Sequence, residues 1–407
     1  MNITYRIDKD ILYVAIEGRV DASNAALAEE KIYSIKTEHP GKHTVIDADD
    51  LEYLSSAGLR IILRLRKDEP KLAIINVSAD VYQILDMTGF TDMVTVEKAY
   101  PRMSVDGCEF IAKGANGAVY RYDNETILKV YFAKDALPEI KQERENARRA
   151  FILGINTAIP YGIVRVGEGY GTVTELLNAV SVSKMIANNP DDLSEAVDYY
   201  VDMLRSIHSI EVDDDSIPDM RKTALSWVDF VIEHIPGDQA IKLRSLVEAV
   251  PVQKTLLHGD YHTNNVMVQN GEPLLIDMDT LCQGHPVFEL GSMFNAFIGY
   301  SELDKPNTLK FFGYPFELSE KVWMMVLKSY LGTDDEEKCR AVAEKAMVIG
   351  YLRMLRRAIR RPEDADSPKK IARCKEMLAE LLAKTETLTF DNPSVVTVAH
   401  PESIRKN

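Results

Sequence analysis

The residues whose types and spacing can do chemistry lie in one stretch of this 407-residue chain, His258-Gly-Asp-Tyr-His-Thr-Asn-Asn-Val266, followed by Leu274-Leu-Ile-Asp-Met-Asp-Thr280. Asp260 and Asn265 stand five positions apart, and Asp277 follows Asn265 by 12, on an apolar run. Phosphoryl transfer needs an acidic group to orient an attacking hydroxyl. It also needs hard oxygen ligands to hold Mg²⁺ against nucleotide phosphates. Asp260, Asn265 and Asp277 supply such oxygens at spacings a strand–loop–strand unit brings together.

Three further features precede this stretch in chain order. Gly114 and Gly117 in Ala112-Lys-Gly-Ala-Asn-Gly-Ala-Val-Tyr120 let a tight turn bring backbone N–H groups close to phosphates,. Two glycines in a hairpin ordinarily just make a turn, so this signal is weak alone. Lys129 sits inside the apolar strand Ile127-Leu-Lys-Val-Tyr131, one hairpin later, where a cation can hold nucleotide phosphates. Glu145, on the charged helix that follows, is the candidate partner of Lys129, with Glu143 the nearby alternative. Either can instead be a surface carboxylate among Lys141, Arg144, Arg148 and Arg149.

The bulk numbers bound the rest. A chain this long is expected to form two or three domains. Its 46% apolar and 27% charged residues are ordinary for a globular protein,. No apolar run approaches the roughly 18 residues of a membrane span, and the start lacks the pattern of a signal peptide, so a cytoplasmic protein without a membrane partner is expected. The four cysteines are scattered with no Cys-x-x-Cys pair, which speaks against a zinc site or a disulfide framework,. The net charge of −15 speaks against nucleic acid as the main partner, so none is expected,. One local exception is Arg353, Arg356, Arg357 and Arg360, spaced i, i+3, i+4, i+7 on a helix,. Such a stripe is either a solvated or ion-paired face, or a dock for an acidic segment or an anionic substrate.

Strand and helix signals alternate over residues 1–100. Strands are expected at 11–17, 44–47 and 71–77, and helices at about 21–37, 56–67 and 79–87, giving a mostly parallel sheet with packed helices. Tyr100-Pro-Arg-Met-Ser-Val105 reads as a connector. Residues 101–176 are β-rich, with a hairpin of 117–122 and 127–131 and one helix at 137–153. Residues 177–388 are mainly helical, interrupted by the catalytic segment, and 389–407 read as an extended tail. The fold class is thus α/β followed by α+β.

These features in this order resemble the aminoglycoside- and choline-kinase-like phosphotransferases, which share the bilobal protein-kinase fold of β-rich N-lobe and helical C-lobe. The resemblance spans roughly residues 106–385, and its most specific element is the segment 258–265 with Ile276-Asp277. It implies that Asp260 accepts the substrate hydroxyl proton and that Asn265 and Asp277 ligate Mg²⁺. It implies that Lys129 contacts the phosphates of ATP, or of GTP, and pairs with Glu145. Thr174-Glu-Leu-Leu177 matches the hinge, whose backbone around Glu175 and Leu177 would hold the adenine. His258 braces the loop; His262 either braces or takes part; Asp279 either assists Mg²⁺ or holds the loop. Glu289 replaces an Asp of the family in His285-Pro-Val-Phe-Glu-Leu-Gly291, and Ala112 replaces the first glycine of the phosphate loop.

Residues 1–100 resemble the STAS domain of anti-sigma-factor antagonists. The order of elements and Leu51-Glu-Tyr-Leu-Ser-Ser-Ala-Gly-Leu59 carry the likeness. It implies a regulatory or docking role with a protein partner, and makes Ser56, two residues before Gly58, the candidate phosphoacceptor. Ser55 stands where phosphorylated members carry Asp. A plain helix cap is the other reading of Ser56. The expected function is ATP- and Mg²⁺-dependent phosphorylation of a small hydroxylated acceptor. A kinase of a STAS-domain serine, or a nucleotide-binding scaffold without turnover, is the alternative.

Overall fold

A computed structural model of the chain describes residues 1–114 and 116–391. Ala115 of the glycine loop, and the expected tail from 392 with His400-Pro401, lie outside the described residues. The chain divides into two compact units, Met1–Ser104 with Ile163–Glu168, and Val105–Gly162 with Gly169 onward. No helix among the described residues is long and apolar enough to cross a membrane.

The first unit is built on one sheet, in the order Asn2–Asp8, Ile11–Val20, His43–Asp47, Ala73–Val77, Thr95–Lys98, with Leu51–Leu54 paired to the far end of Ile11–Val20. All pairings are parallel except the first, where Asn2–Asp8 and Ile11–Val20 form an antiparallel hairpin. That first strand escapes the sequence reading because it buries only Ile3, so alternation gives no signal,. Helices Ala25–Glu38, Ser56–Asp68 and Ala79–Met87 join the strands. Alternate residues of the long strand, Leu12, Val14 and Ile16, pack with Leu65, Ile74 and Val81 in a core of the unit's own.

The helix Ser56–Asp68 starts differently from the expectation. Its N-cap is Ser55, whose Oγ accepts the N–H groups of Ala57 at 3.2 Å and Gly58 at 3.4 Å. Ser56 is therefore not the cap. It is the first helical residue and is exposed. Gly58 is required by packing, since a Cβ there would stand 2.5 Å from Leu54 Cδ1.

In the second unit, Glu109–Lys113, Gly117–Arg121, Thr126–Tyr131 and Gly169–Glu175 are successive antiparallel partners. The turn between the two middle strands is set by Asp123, whose carboxylate accepts the N–H groups of Glu125 and Thr126,. Helix Leu137–Ile152 follows, with Pro138 in its first turn,. Below these strands lies a helical body whose core includes Tyr200, Leu204, Phe294, Phe297, Leu327 and Leu355.

Two short strand pairs thread through that body. Val266–Gln269 and Glu272–Leu275 form a hairpin whose turn residues, Asn270 at φ 54° and Gly271 at φ 80°, are left-handed, as a tight hairpin requires,. Leu256–Leu257 pairs antiparallel with Cys282–Gln283. Together the pairs fix both ends of the loop 258–265 and lay it beside Ile276–Thr280.

Candidate active site

The loop 258–265 is held by an unusually buried polar framework. Glu289, on helix Val287–Phe297, is fully buried. Its carboxylate accepts the His258 N–H at 2.6 Å and the Gly259 N–H at 3.0 Å. Burial raises the pKa of this carboxyl. The His208 imidazole 3.9 Å away, His258 and the His258 N–H overcome burial and hold it below the usual value,. The acid at position 289 thus reaches the loop backbone directly.

Gly259 is irreplaceable on two counts. Its φ is 83°, and a Cβ there would lie 2.4 Å from the Thr280 carbonyl oxygen,. The Gly259 carbonyl accepts hydrogen bonds from Ser292 Oγ at 3.0 Å and Arg353 at 3.1 Å. His258 Nε2 donates to the Ile276 carbonyl at 3.0 Å, which leaves Nδ1 to accept the Asp260 N–H at 3.3 Å,. His258 thus ties the loop to Ile276, just past the end of strand Glu272–Leu275.

The chemical groups sit on this frame. The Asp260 side chain is 44% exposed, with Oδ2 3.7 Å from His262 Nε2. His262 is nearly buried against Phe311, ring centroids 5.1 Å apart, and burial lowers its pKa against the pull of Asp260. Asn265 Nδ2 donates to the Asp260 carbonyl at 3.1 Å, which commits its donor and leaves Oδ1 as the atom suited to a cation,. Asp277 adopts φ 63°, ψ 62°, a left-handed conformation that costs a non-glycine residue about 1 kcal/mol or more and recurs where a side chain must be aimed,.

Lys129 Nζ lies 2.7 Å from Glu143 Oε1 and 3.5 Å from Asp277 Oδ1. Burial disfavours its charge, but Asp277 and Glu143 more than compensate and raise its pKa, so it stays cationic. Tyr131 donates to the other oxygen of Glu143 at 2.6 Å. The expected pairing of Lys129 with Glu145 is therefore wrong. Glu145 instead faces Arg149 at 3.4 Å and Arg148 at 3.6 Å. The reason is helical phase: two residues rotate a side chain by about 200°. Glu143 lies on the face carrying buried Ile140, Asn146 and Ala150.

Asp279 follows and is exposed. Loss of hydration, then the charges of Asp277 and Glu143, push its pKa up to about 6. Much of its side chain still reaches solvent, so the durable part of this shift is the crowding of carboxylates, which a bound cation relieves,. Its carbonyl accepts Asn146 Nδ2 at 3.3 Å, tying helix Leu137–Ile152 to this segment. Among the described residues no three His, Cys, Asp or Glu side chains form a metal cage. Asn265 and Asp277 offer two oxygens beside a cluster of negative charge, a donor set that suits Mg²⁺ shared with phosphates.

At the expected phosphate loop, the Gly114 N–H donates to the Gly117 carbonyl at 2.9 Å. A Cβ on Gly117 would lie 2.5 Å from the Val130 carbonyl oxygen, so close backbone approach demands glycine there. In the expected hinge, the Glu175 N–H donates to Ile159 and the Leu176 N–H to Glu125, which pins the segment leading to Leu177. Sequence reasoning missed the supporting residues Tyr131, Ser292 and Arg353. Arg353 in particular is part-buried and makes no ion pair among the described residues: it donates to the loop carbonyl, and to Ser292 Oγ at 2.7 Å.

Comparison with known proteins adds to this geometry. The model of the phosphotransferase enzyme family matches residues 107–314, and that of the STAS domain matches residues 2–103. Over 100 residues the chain is 26% identical to BtrV of Bordetella bronchiseptica, provisionally assigned as an anti-sigma factor antagonist; the match covers 24% of this chain and 85% of that protein. The aminoglycoside phosphotransferase APH(2'')-Ib bound to ADP superposes with a TM-score of 0.47 at 14% identity, covering 75% of this chain and 99% of its own. A choline/ethanolamine kinase family protein from Mesorhizobium loti gives a TM-score of 0.46 at 14% identity, over 68% of this chain and 91% of its own.

Proposed function

The chain belongs to the phosphotransferase enzyme family and carries a STAS domain, and on that premise we propose that it transfers the terminal phosphoryl group of ATP, or of GTP, to a hydroxyl of a small molecule. The observation that supports this reading is that Asn265 bonds the Asp260 carbonyl, the Ile276 N–H bonds the Asn265 carbonyl, and the Lys129–Glu143 pair stands beside Asp277.

Asp260 orients the acceptor hydroxyl and takes its proton as the oxygen–phosphorus bond forms. The bond to the nucleoside diphosphate breaks, and the diphosphate leaves with the electron pair. Lys129, fixed by Glu143, holds donor phosphates in line. Asn265 and Asp277 would hold Mg²⁺, which when bound neutralises the phosphate oxygens. Gly114 and Gly117 bring backbone close to the phosphates, and Glu175 to Leu177 would receive the base. Asp279 supports the metal side of the cluster. His258, Glu289, Ser292 and Arg353 act through the loop backbone and are positioning residues.

We assign the STAS domain a regulatory or recruiting role, with Ser56 its candidate phosphoacceptor. Exposure of Ser56 on the first turn of its helix favours this: a phosphate there meets the positive end of the helix dipole while Ser55 still caps,. Incubation with Mg-ATP followed by intact-mass measurement tests this part. One added phosphate on Ser56 supports a kinase–STAS circuit. No added mass removes self-phosphorylation and directs the search to small acceptors. The transfer reaction itself is tested by nucleotide turnover with an acceptor panel.

A further inference from the structure

The chain carries 48 Lys and Arg against 63 Asp and Glu, so an arginine surrounded by carboxylates is the ordinary expectation. Arg353, Arg356, Arg357 and Arg360 break it. Among the described residues none of the four makes an ion pair. Glu302, which follows Tyr300 by two residues, is already taken by Arg373 at 2.9 Å and by the Tyr351 hydroxyl at 3.0 Å. Arg356 is half-buried beside its like-charged neighbours. Burial, then Arg360 and Arg353, lower its pKa. A helix C-terminus welcomes cations within its last turn. That favours Arg356, Arg357 and the C-capping Arg360 but supplies no anion to pair with them, and Arg353 lies a turn further back.

The stripe also begins at the loop that carries Asp260. Arg353 bonds the carbonyl of Gly259, the residue before Asp260. Arg357 lies over the Tyr300 ring at 5.4 Å. Tyr300 is joined through Asn307, whose Nδ2 donates to the Tyr300 carbonyl at 3.5 Å and to Ser301 Oγ at 3.2 Å, to helix Pro306–Phe312. The far end of that helix returns to the loop: Phe311 packs on His262, and its carbonyl accepts Asn264 Nδ2 at 2.7 Å. Arg353 and the helix therefore both contact the loop that carries Asp260, and Arg357 stands on the ring tied to that helix. From Arg353 to Arg360 the stripe runs roughly 10 Å along its helix.

We infer that the acceptor is an anion: a small hydroxylated molecule bearing a phosphate or carboxylate group, which Arg356, Arg357 and Arg360 bind while Asp260 takes the hydroxyl. This rests on the phosphotransferase reading and names the substrate class of that site. Guanidinium groups bind such oxyanions through paired N–H donors, and they favour an anionic over a cationic hydroxyl compound by charge alone.

The test uses the full chain and the double substitution Arg357→Gln/Arg360→Gln, both exposed, so the fold is expected to survive,. Citrate and inorganic phosphate are titrated calorimetrically at low salt, and nucleotide affinity is measured in parallel. Glycerol 3-phosphate, hexose phosphates and hydroxy acids are compared with kanamycin as accelerators of diphosphate release. We expect anion affinity to fall about tenfold or more in the variant, nucleotide affinity to be unchanged, and acceleration by anionic hydroxyl compounds only. Anion binding that ignores the substitution overturns the inference. So does acceleration by the cationic compound alone, which leaves the transferase reading standing. Binding of an oligoglutamate peptide through these arginines, with no acceleration by any small anion, also overturns it in favour of a protein partner. Absence of nucleotide binding altogether is the separate outcome that removes the transferase reading.

Discussion

Replacing Glu143 with Gln keeps the side chain's size and removes the charge that fixes Lys129. In the structure Glu143 accepts both Lys129 Nζ at 2.7 Å and the Tyr131 hydroxyl at 2.6 Å, and it is only 20% exposed. A charge-assisted bond in such a setting is worth roughly 1.5–3 kcal/mol. Without it, the carboxylate nearest Lys129 is Asp277, at 3.5 Å. The ammonium then swings toward an expected metal ligand and away from the phosphates. If most of that energy is lost from the transition state, kcat/KM for nucleotide turnover falls about 10- to 150-fold. Glu145→Gln disturbs only contacts to Arg148 and Arg149, at 3.6 and 3.4 Å on an exposed face, and turnover is expected to change less than about twofold,. A coupled assay of diphosphate release from Mg-nucleotide, with water or an acceptor as the nucleophile, compares the two. Equal rates in wild type and Glu143→Gln, or a large loss in Glu145→Gln, refutes the pairing.

Three further expectations follow from the same structure. Gly259→Ala forces a Cβ against the Thr280 carbonyl at a left-handed φ, so urea unfolding should show a loss of about 2–4 kcal/mol together with nearly complete loss of turnover,. Ser55→Ala removes a helix cap and should cost about 1 kcal/mol in the unfolding of the STAS domain, whereas Ser56→Ala should fall within about 0.5 kcal/mol of wild type,. Asp279 has a raised folded pKa, so its stabilising share is full below the unfolded value near 4 and is lost as pH rises through about 6,. The melting temperature of nucleotide- and metal-free protein should therefore decline over that window, and Asp279→Asn should flatten the decline.

The catalytic loop is legible in the sequence because its polar residues are contiguous and bracketed by short apolar strands; the chain itself sets the spacing of Asp260, Asn265 and Asp277. What the sequence hides is mostly a matter of rotation and distance. Glu143 and Glu145 are indistinguishable by composition, and only the phase of buried Ile140 and Ala150 separates them. A count of that face would have found Glu143. Glu289 lies 30 positions from Gly259, and Arg353 lies 94, so no local pattern announces that both hold the same residue. The arginine stripe is readable as a stripe, but which element it faces is a property of packing between helices. In the STAS domain the strands with alternating or continuous apolar residues are evident. The edge strands Asn2–Asp8 and Thr95–Lys98 bury too little to register. At the helix start, two adjacent serines satisfy the same capping rule, and the backbone decides for Ser55.

The most direct test of phosphoryl transfer at this site compares wild type with Asp260→Asn in nucleotide binding and in Mg²⁺-dependent diphosphate release. The substitution keeps the shape of a side chain that is 44% exposed and removes the carboxylate proposed to take the proton. We predict nucleotide affinity within about twofold and turnover lower by roughly 10²–10⁴. Turnover that is unchanged in Asp260→Asn would contradict the assignment of this loop as the catalytic centre.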